Sequence, residues 1–182
     1  TKGGGAGVRI WDNFFDDLPN ENIILKNVLI VGNKALSWTG ASHSGGLDIG
    51  YVDVKLINTI IVHNITESLS DSKKAGGLAI LNGANVKMLN SIVAFNEPHN
   101  MKVIGDTKIN FAYSAVERGV DGIIDGSDST IVWQTGNIDA DPLFVGGEPF
   151  DYRLSKHSPC IDTGTAFFEW EGDTLLNLSA DE

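Results

Sequence analysis

A chain of 182 residues with 24 Asp and Glu against 13 Lys and Arg carries a net charge of −11. That balance speaks first for solubility, and it argues against DNA or RNA as a partner, because nucleic-acid binding draws its strength from cationic neutralisation of phosphates. Cys160 is the single cysteine, which excludes an intrachain disulfide and a Cys-based zinc site, and no apolar run approaches the ~20 residues of a membrane helix.

The chain opens on Thr1-Lys2-Gly3-Gly4 and stops on Ala180-Asp181-Glu182, with neither an initiating Met nor a signal peptide, and it reads as a fragment of a longer protein. Its first element, Gly3 to Ile10, is a degenerate strand in which Ala6-Gly7-Val8-Arg9-Ile10 matches Gly45-Gly46-Leu47-Asp48-Ile49 and Gly76-Gly77-Leu78-Ala79-Ile80 further on. The interval from Ile10 to Ile49 is longer than that from Ile49 to Ile80. The excess falls in residues 11–20, a stretch of aromatics and carboxylates (Trp11, Asp12, Phe14, Phe15, Asp16, Asp17) expected to be an inserted loop. Insertions in repeat arrays map to one face, often the binding face.

Three copies of one phrase follow: Leu25-Lys26-Asn27-Val28 with Asn33, Leu56-Ile57-Asn58-Thr59 with Asn64, and Met88-Leu89-Asn90-Ser91 with Asn96. They recur at a nearly constant step of about 31 residues, and self-similarity at such a period marks a stacked array in which no repeat buries its own apolar face. Aligned on the Asn residues, Ile23, Val54 and Val86 share a column. So do Leu25, Leu56 and Met88, and Leu29, Ile60 and Ile92, with the mixed columns Ile24, Lys55, Lys87 and Lys26, Ile57, Leu89 between. Alternation rich in Val, Ile and Leu predicts short strands. The next column, Ile30, Ile61 and Val93, is apolar too, and a turn at the Asn leaves open which of Ile60 and Ile61 faces inward.

The predicted fold is all-β: coils of about 31 residues, three short strands each, stacked in parallel ~4.8 Å apart. Each Asn then lies over its counterpart in the coil below, so that Asn27, Asn58 and Asn90, and likewise Asn33, Asn64 and Asn96, form ladders of side-chain amides. An amide carries both donors and an acceptor, which is what a ladder requires. On this placement Asn58→Leu is expected to cost roughly a few kcal/mol, because buried partners on either side are orphaned.

The last third carries a different pattern. After Asn90-Ser91-Ile92-Val93 and Asn96 come Tyr113-Ser114, Gly136-Asn137-Ile138-Asp139-Ala140-Asp141-Pro142-Leu143-Phe144, Asp151-Tyr152-Arg153-Leu154 and Ser158-Pro159-Cys160-Ile161-Asp162-Thr163-Gly164. With the repeats before them, these segments resemble the right-handed parallel β-helix repeat proteins of bacterial cell surfaces, over about residues 21–164. The resemblance implies a right-handed helix, an extracellular or outer-surface location, and a sorting or anchoring part after a short acidic-aromatic segment. The expected division is residues 1–164 as coils with a cap and 165–182 as a C-terminal extension. A stack of strands ends on open backbone groups, and the Pro and bulky apolar residues of 141–144 and 158–161 read as the lid that closes it. Cys160, beside Pro159 and Ile161, reads as a small buried apolar residue.

Candidate chemistry is sparse. Two long loops, Lys34 to Ser44 with Trp38 and His43, and Ile65 to Ala75, are expected to emerge on one side and, with the Trp11 insertion, to wall a groove. Trp11, Trp38, His43 and Asp48 are the candidate ligand-binding residues; the plainer reading makes Trp38 a loop anchor. Arg9 and Asp48 are expected to face outward in adjacent coils as a salt bridge. Asp121, Asp125 and Asp128, separated by Gly, are a candidate Ca²⁺ site, against an Asp-Gly turn. No other cofactor is implied. His63 has Gly32 and Phe95 as column mates, so no second His or carboxylate stacks on it. No coil column pairs two carboxylates as glycoside hydrolysis requires. The expectation is therefore a non-catalytic exported module that serves as a surface scaffold, an adhesive or a glycan-binding unit, with a polysaccharide or cell-surface glycan as the candidate partner. The alternative is a lyase or glycoside hydrolase acting on an acidic polysaccharide.

Overall fold

The computed structural model describes residues 7–12, 23–37, 44–68, 74–126, 128–146 and 151–178. Among them the chain is all-β, built on stacked parallel sheets. The first sheet runs Val8–Trp11, Leu47–Gly50, Leu78–Leu81, Met101–Ile104, Ile123–Asp125. The second runs Ile23–Lys26, Asp53–Ile57, Asn85–Leu89, Lys108–Ala112, Thr130–Trp133, and the third Leu29–Val31, Ile60–Val62, Ile92–Ala94, Ala115–Val116. From Leu47 onward each pass of the chain visits the three sheets in the same order, an arrangement compatible with a parallel β-helix. No helix among the described residues is long and apolar enough to cross a membrane.

The registers are those of the Asn alignment. Ile23, Val54 and Val86 pair in file, as do Leu25, Leu56 and Met88, and Ile30, Ile61 and Val93. Val8 pairs with Leu47 and Ile10 with Ile49, so the degenerate first phrase is a true strand and Trp11, its last residue, belongs to it. Alternate side chains of the three sheets meet in one core, where Leu47, Ile49, Leu56, Ile61, Leu78, Ile80, Met88 and Phe111 are fully buried. Full burial of one such side chain is worth roughly 1.5–3 kcal/mol. Ile61 faces this core, while Ile60 turns outward. The choice follows from Asn58, whose left-handed backbone (φ 51°) resets the alternation.

Three features depart from the expected plan. The repeat shortens: Met101 pairs with Leu78, and Ile123 with Met101, both at a step well short of that from Leu47 to its partner Leu78. The supposed loop starts at Lys34 and Ile65 are instead a parallel strand pair, Lys34–Ser37 with Ile65–Ser68, that follows the third sheet in two passes and continues into the next only as the bridge from Ile65 to Glu97. The C-terminal segments, finally, clad the flanks of the stack. Phe144, Tyr152, Leu154 and Cys160 pack on the outward residues Val62, Ile92, Ala94 and Ala115 of the third sheet. The hairpin Phe167–Trp170 with Asp173–Asn177 lays Trp170 and Leu176 on Ile57, Leu89 and Ala112 beside the second sheet. Its acidic turn meets the lysine column: Glu171 lies 3.6 Å from Lys87 Nζ and Asp173 4.0 Å from Lys55 Nζ. Both carboxylates are exposed, so the apolar contact carries the docking.

The two Asn columns differ in kind. Asn27, Asn58 and Asn90 are corner residues with φ of 59°, 51° and 50°. Asn58 Nδ2 donates to Asn27 Oδ1 at 3.0 Å on the surface, and Asn90 is bound by the backbone of Thr165. The second column is the buried ladder. Asn33 Nδ2 donates to Asn64 Oδ1 (2.9 Å), Asn64 Nδ2 to Asn96 Oδ1 (3.0 Å), and Asn96 Nδ2 to Asn100 Oδ1 (3.0 Å). The backbone N–H groups of Asn33, Asn64 and Asn96 donate to the same oxygens, which fixes the orientation of the Asn64, Asn96 and Asn100 amides. Gly77 makes room for it: a Cβ there would lie 2.6 Å from the Asn100 carbonyl oxygen and 2.7 Å from Asn96 Nδ2. A hydroxyl ladder runs parallel, from the Thr59 N–H to Ser91 Oγ (2.9 Å), the Ser91 N–H to Ser114 Oγ (3.1 Å) and the Ser114 N–H to Asn137 Oδ1 (2.9 Å).

The large ladder penalty therefore belongs to Asn64 rather than to the surface residue Asn58. In denaturant titrations Asn64→Leu should cost about 3 kcal/mol or more, since several buried partners are orphaned, against about 1 kcal/mol for Asn58→Leu. Gly77→Ala should cost roughly 1–3 kcal/mol by overpacking the same place.

Candidate functional site

The site grows from one corner of the stack. Gly32, His63 and Phe95 each follow a strand of the third sheet and take left-handed backbone, with φ of 65°, 54° and 56°. Parallel strands lie ~4.8 Å apart, so two rings at one outward corner in adjacent passes must stack. His63 and Phe95 do so, with centroids 5.3 Å apart and planes 17° from parallel. The cladding segment extends the aromatic surface. Phe144 meets Phe95 at 6.4 Å, Tyr152 meets Phe144 edge-on at 5.6 Å, and His63 and Tyr152 are 6.1 Å apart.

Two cavities flank the ring pair. The larger, about 420 Å³, is lined by His63, Phe95, Glu97, His99, Glu117 and Arg118, among others. The smaller, about 260 Å³, is lined by His63, Phe95, Asp141, Phe144, Asp151 and Tyr152, among others. The larger one exists because the passes shorten. After Glu97 the chain returns to the first sheet at Met101 without the side excursion of the two passes before it, and a shelf is left beneath them.

The buried ladder ends on this shelf. Asn100 Nδ2 donates to Glu117 Oε2 at 3.0 Å, and the Phe95 N–H donates to the same oxygen at 2.7 Å. A row of amides, all donating in one direction, thus terminates on a carboxylate beside the upper ring. Across the rings, Arg153 forks onto Asp151, with Nη2 at 2.6 Å from Oδ2 and Nε at 3.0 Å from Oδ1. Those bonds hold the Asp151 carboxyl below its ordinary range. Behind the rings, burial pushes the Cys160 thiol up, in keeping with a packing role.

The residues expected to bind ligand lie elsewhere. Trp11 packs edge-on against Tyr51 at 5.3 Å and takes the Arg9 guanidinium over its ring at 4.3 Å. Arg9 stands in register with Asp48, but Asp48 is completely buried and accepts from Ser44 Oγ at 2.7 Å, so Asp48 does not face outward as expected. Trp38, His43 and residues 13–20 of the insertion lie outside the described residues. Asp121 sits in a 3₁₀ turn, Gly119–Gly122, and Asp125 accepts from Ser129 Oγ. With Asp128 they are not gathered: among the described residues no three His, Cys, Asp or Glu group to hold a metal ion. The column of His63 and Phe95 is legible in the sequence, but it holds no second titratable group to mark it as a site. Glu97 keeps the regular register with Lys34 and Ile65 but has no second carboxylate in its column, and Glu117 escapes the alignment because it lies beyond the point where the period changes.

The role of Glu117 separates by substitution. Glu117→Gln keeps a carbonyl oxygen for the Phe95 and Asn100 donors and should cost about 1 kcal/mol, whereas Glu117→Leu strands both and should cost about 2–3 kcal/mol in denaturant titration. In comparisons with known proteins, no family model, no curated protein and no solved structure matches the chain.

Proposed function

We propose that this chain is a right-handed parallel β-helix module, exported to the cell surface, that binds a glycan on the His63–Phe95 ring pair without transforming it. The observation that carries the reading is the stacked pair at 5.3 Å, set between two cavities and prolonged by Phe144 and Tyr152. A sugar presents an apolar C–H face, which suits an aromatic plane, and a rim of hydroxyls, which suits carboxylates and amides placed beside that plane. The cavity of about 420 Å³ has the size of a small-ligand site.

One observation favours a second reading. Glu97 and Glu117 line the same cavity, and glycoside hydrolysis needs two carboxylates. Glu117 is tied by two donors to the ladder, which suits a positioning group better than a proton carrier. An acidic polysaccharide suits neither reading, because carboxylates outnumber arginines and lysines around both cavities.

On a glycan array the protein should retain a defined set of ligands, and Phe95→Ala or Tyr152→Ala should weaken them about tenfold or more, some 1.4 kcal/mol. Release of reducing ends from those ligands, abolished by Glu97→Gln, would establish the hydrolase instead. Absence of binding to any glycan would end both.

A further inference from the structure

We infer that the sugar held on the ring pair carries a protonated amine, and that its ammonium group sits in the larger cavity against Glu117 and Glu97. The inference rests on the glycan reading above and adds the class of ligand.

Position comes first. The N–H of Phe95 holds Glu117 Oε2 at 2.7 Å, so a single residue supplies both the ring and the anchor of the carboxylate. A sugar lying on the Phe95 face therefore has one ring substituent beside an anion whose place is set by the backbone. Both of the bonds to this carboxylate fall on Oε2, from Phe95 and from Asn100 Nδ2, and Oε1 takes neither. An ammonium group has three donors and no acceptor, which matches an oxygen in that state.

Charge comes second. Around the two cavities stand Glu97, Glu117, Asp141 and Asp151, with Arg118 as the lining arginine among the described residues and His63 and His99 beside it. Arg153 and Asp151 offset one another, which leaves Glu97, Glu117 and Asp141 against Arg118, whose backbone N–H is bound by the Asp139 carboxylate at 2.7 Å. The local field is therefore negative on a chain whose net charge is already −11. Such a site repels uronic acids, is indifferent to neutral sugars and draws cationic ones. The aromatic planes add to this, since a cation beside a ring face is attracted by its quadrupole.

Third, the anion is prepared in advance. The amides of Asn33, Asn64, Asn96 and Asn100 all donate toward Glu117, so their dipoles favour a negative charge there before any ligand arrives. A preorganised charge loses little freedom when it binds.

The test compares glucosamine oligomers with the same oligomers N-acetylated and with oligomers of a uronic acid, by calorimetry on the full chain. The amine form should bind about tenfold or more tighter than its acetylated counterpart, and added salt should weaken the amine form alone. In Glu117→Gln, verified as folded by its denaturant midpoint, that preference should fall to within about threefold. Equal or tighter binding of the acetylated oligomer would overturn the inference and leave the glycan reading standing. An amine preference untouched by Glu117→Gln and by Glu97→Gln would overturn the assigned site. No binding by any of the three, together with an empty glycan array, would instead remove the reading on which the inference rests.

Discussion

The side-chain amide of Asn64, fully buried between two passes of the chain, is the constraint on which the rest of this structure depends. A buried amide is tolerable only when all its bonds are made. Here they are made by placing an identical amide in the pass above and the pass below, together with the carbonyls of Ile30 and Val62. This demand ties the passes to one register, because a slip of one residue would turn the Asn out of its file and every core side chain onto the wrong face. Gly46 and Gly77 serve the same requirement, allowing strands of the first sheet to begin where a Cβ would press on the ladder.

The ladder must also stop somewhere, and its end shapes the surface. At Asn96 the next amide comes from Asn100, within the same turn of chain, and the one after that is replaced by the carboxylate of Glu117. The change coincides with the shortening of the passes, which removes the side excursion and opens a shelf. A polar network that had been purely structural thus presents a fixed anion to a cavity, next to two stacked rings. The ladder and the candidate site share one hydrogen-bonded row.

The C-terminal segments serve two ends at once. Outward-facing residues of a parallel sheet still need cover when they are apolar, and Val62, Ile92 and Ala94 receive it from Phe144, Tyr152, Leu154 and Cys160. The same cladding brings Phe144 and Tyr152 beside the corner rings. On the neighbouring flank, Trp170 and Leu176 supply the apolar contact, and the acidic turn between their strands lies over Lys55 and Lys87. Acidic residues therefore have two roles that the net charge conceals: neutralising a lysine column on one side, and setting a negative field around an aromatic groove on the other.

Much of this was legible in the residues themselves. Strand type, the files of Ile23, Val54 and Val86 or Leu25, Leu56 and Met88, both Asn columns and the hidden first strand at Val8 all followed from period and alternation, because a repeated hydrogen-bonding requirement writes itself as a repeated residue. The choice between Ile60 and Ile61 did not, since it turns on the left-handed backbone of Asn58, a conformation Asn also adopts in ordinary turns. The hydroxyl ladder of Thr59, Ser91 and Ser114 was hidden because its file changes residue type from pass to pass and ends on an amide. The position of Glu117, the fit of Phe144 and Tyr152 along a flank, and the burial of Asp48 were decided only in three dimensions. They join segments that no common period relates, and contact between such segments is set by the surface that the regular part leaves open.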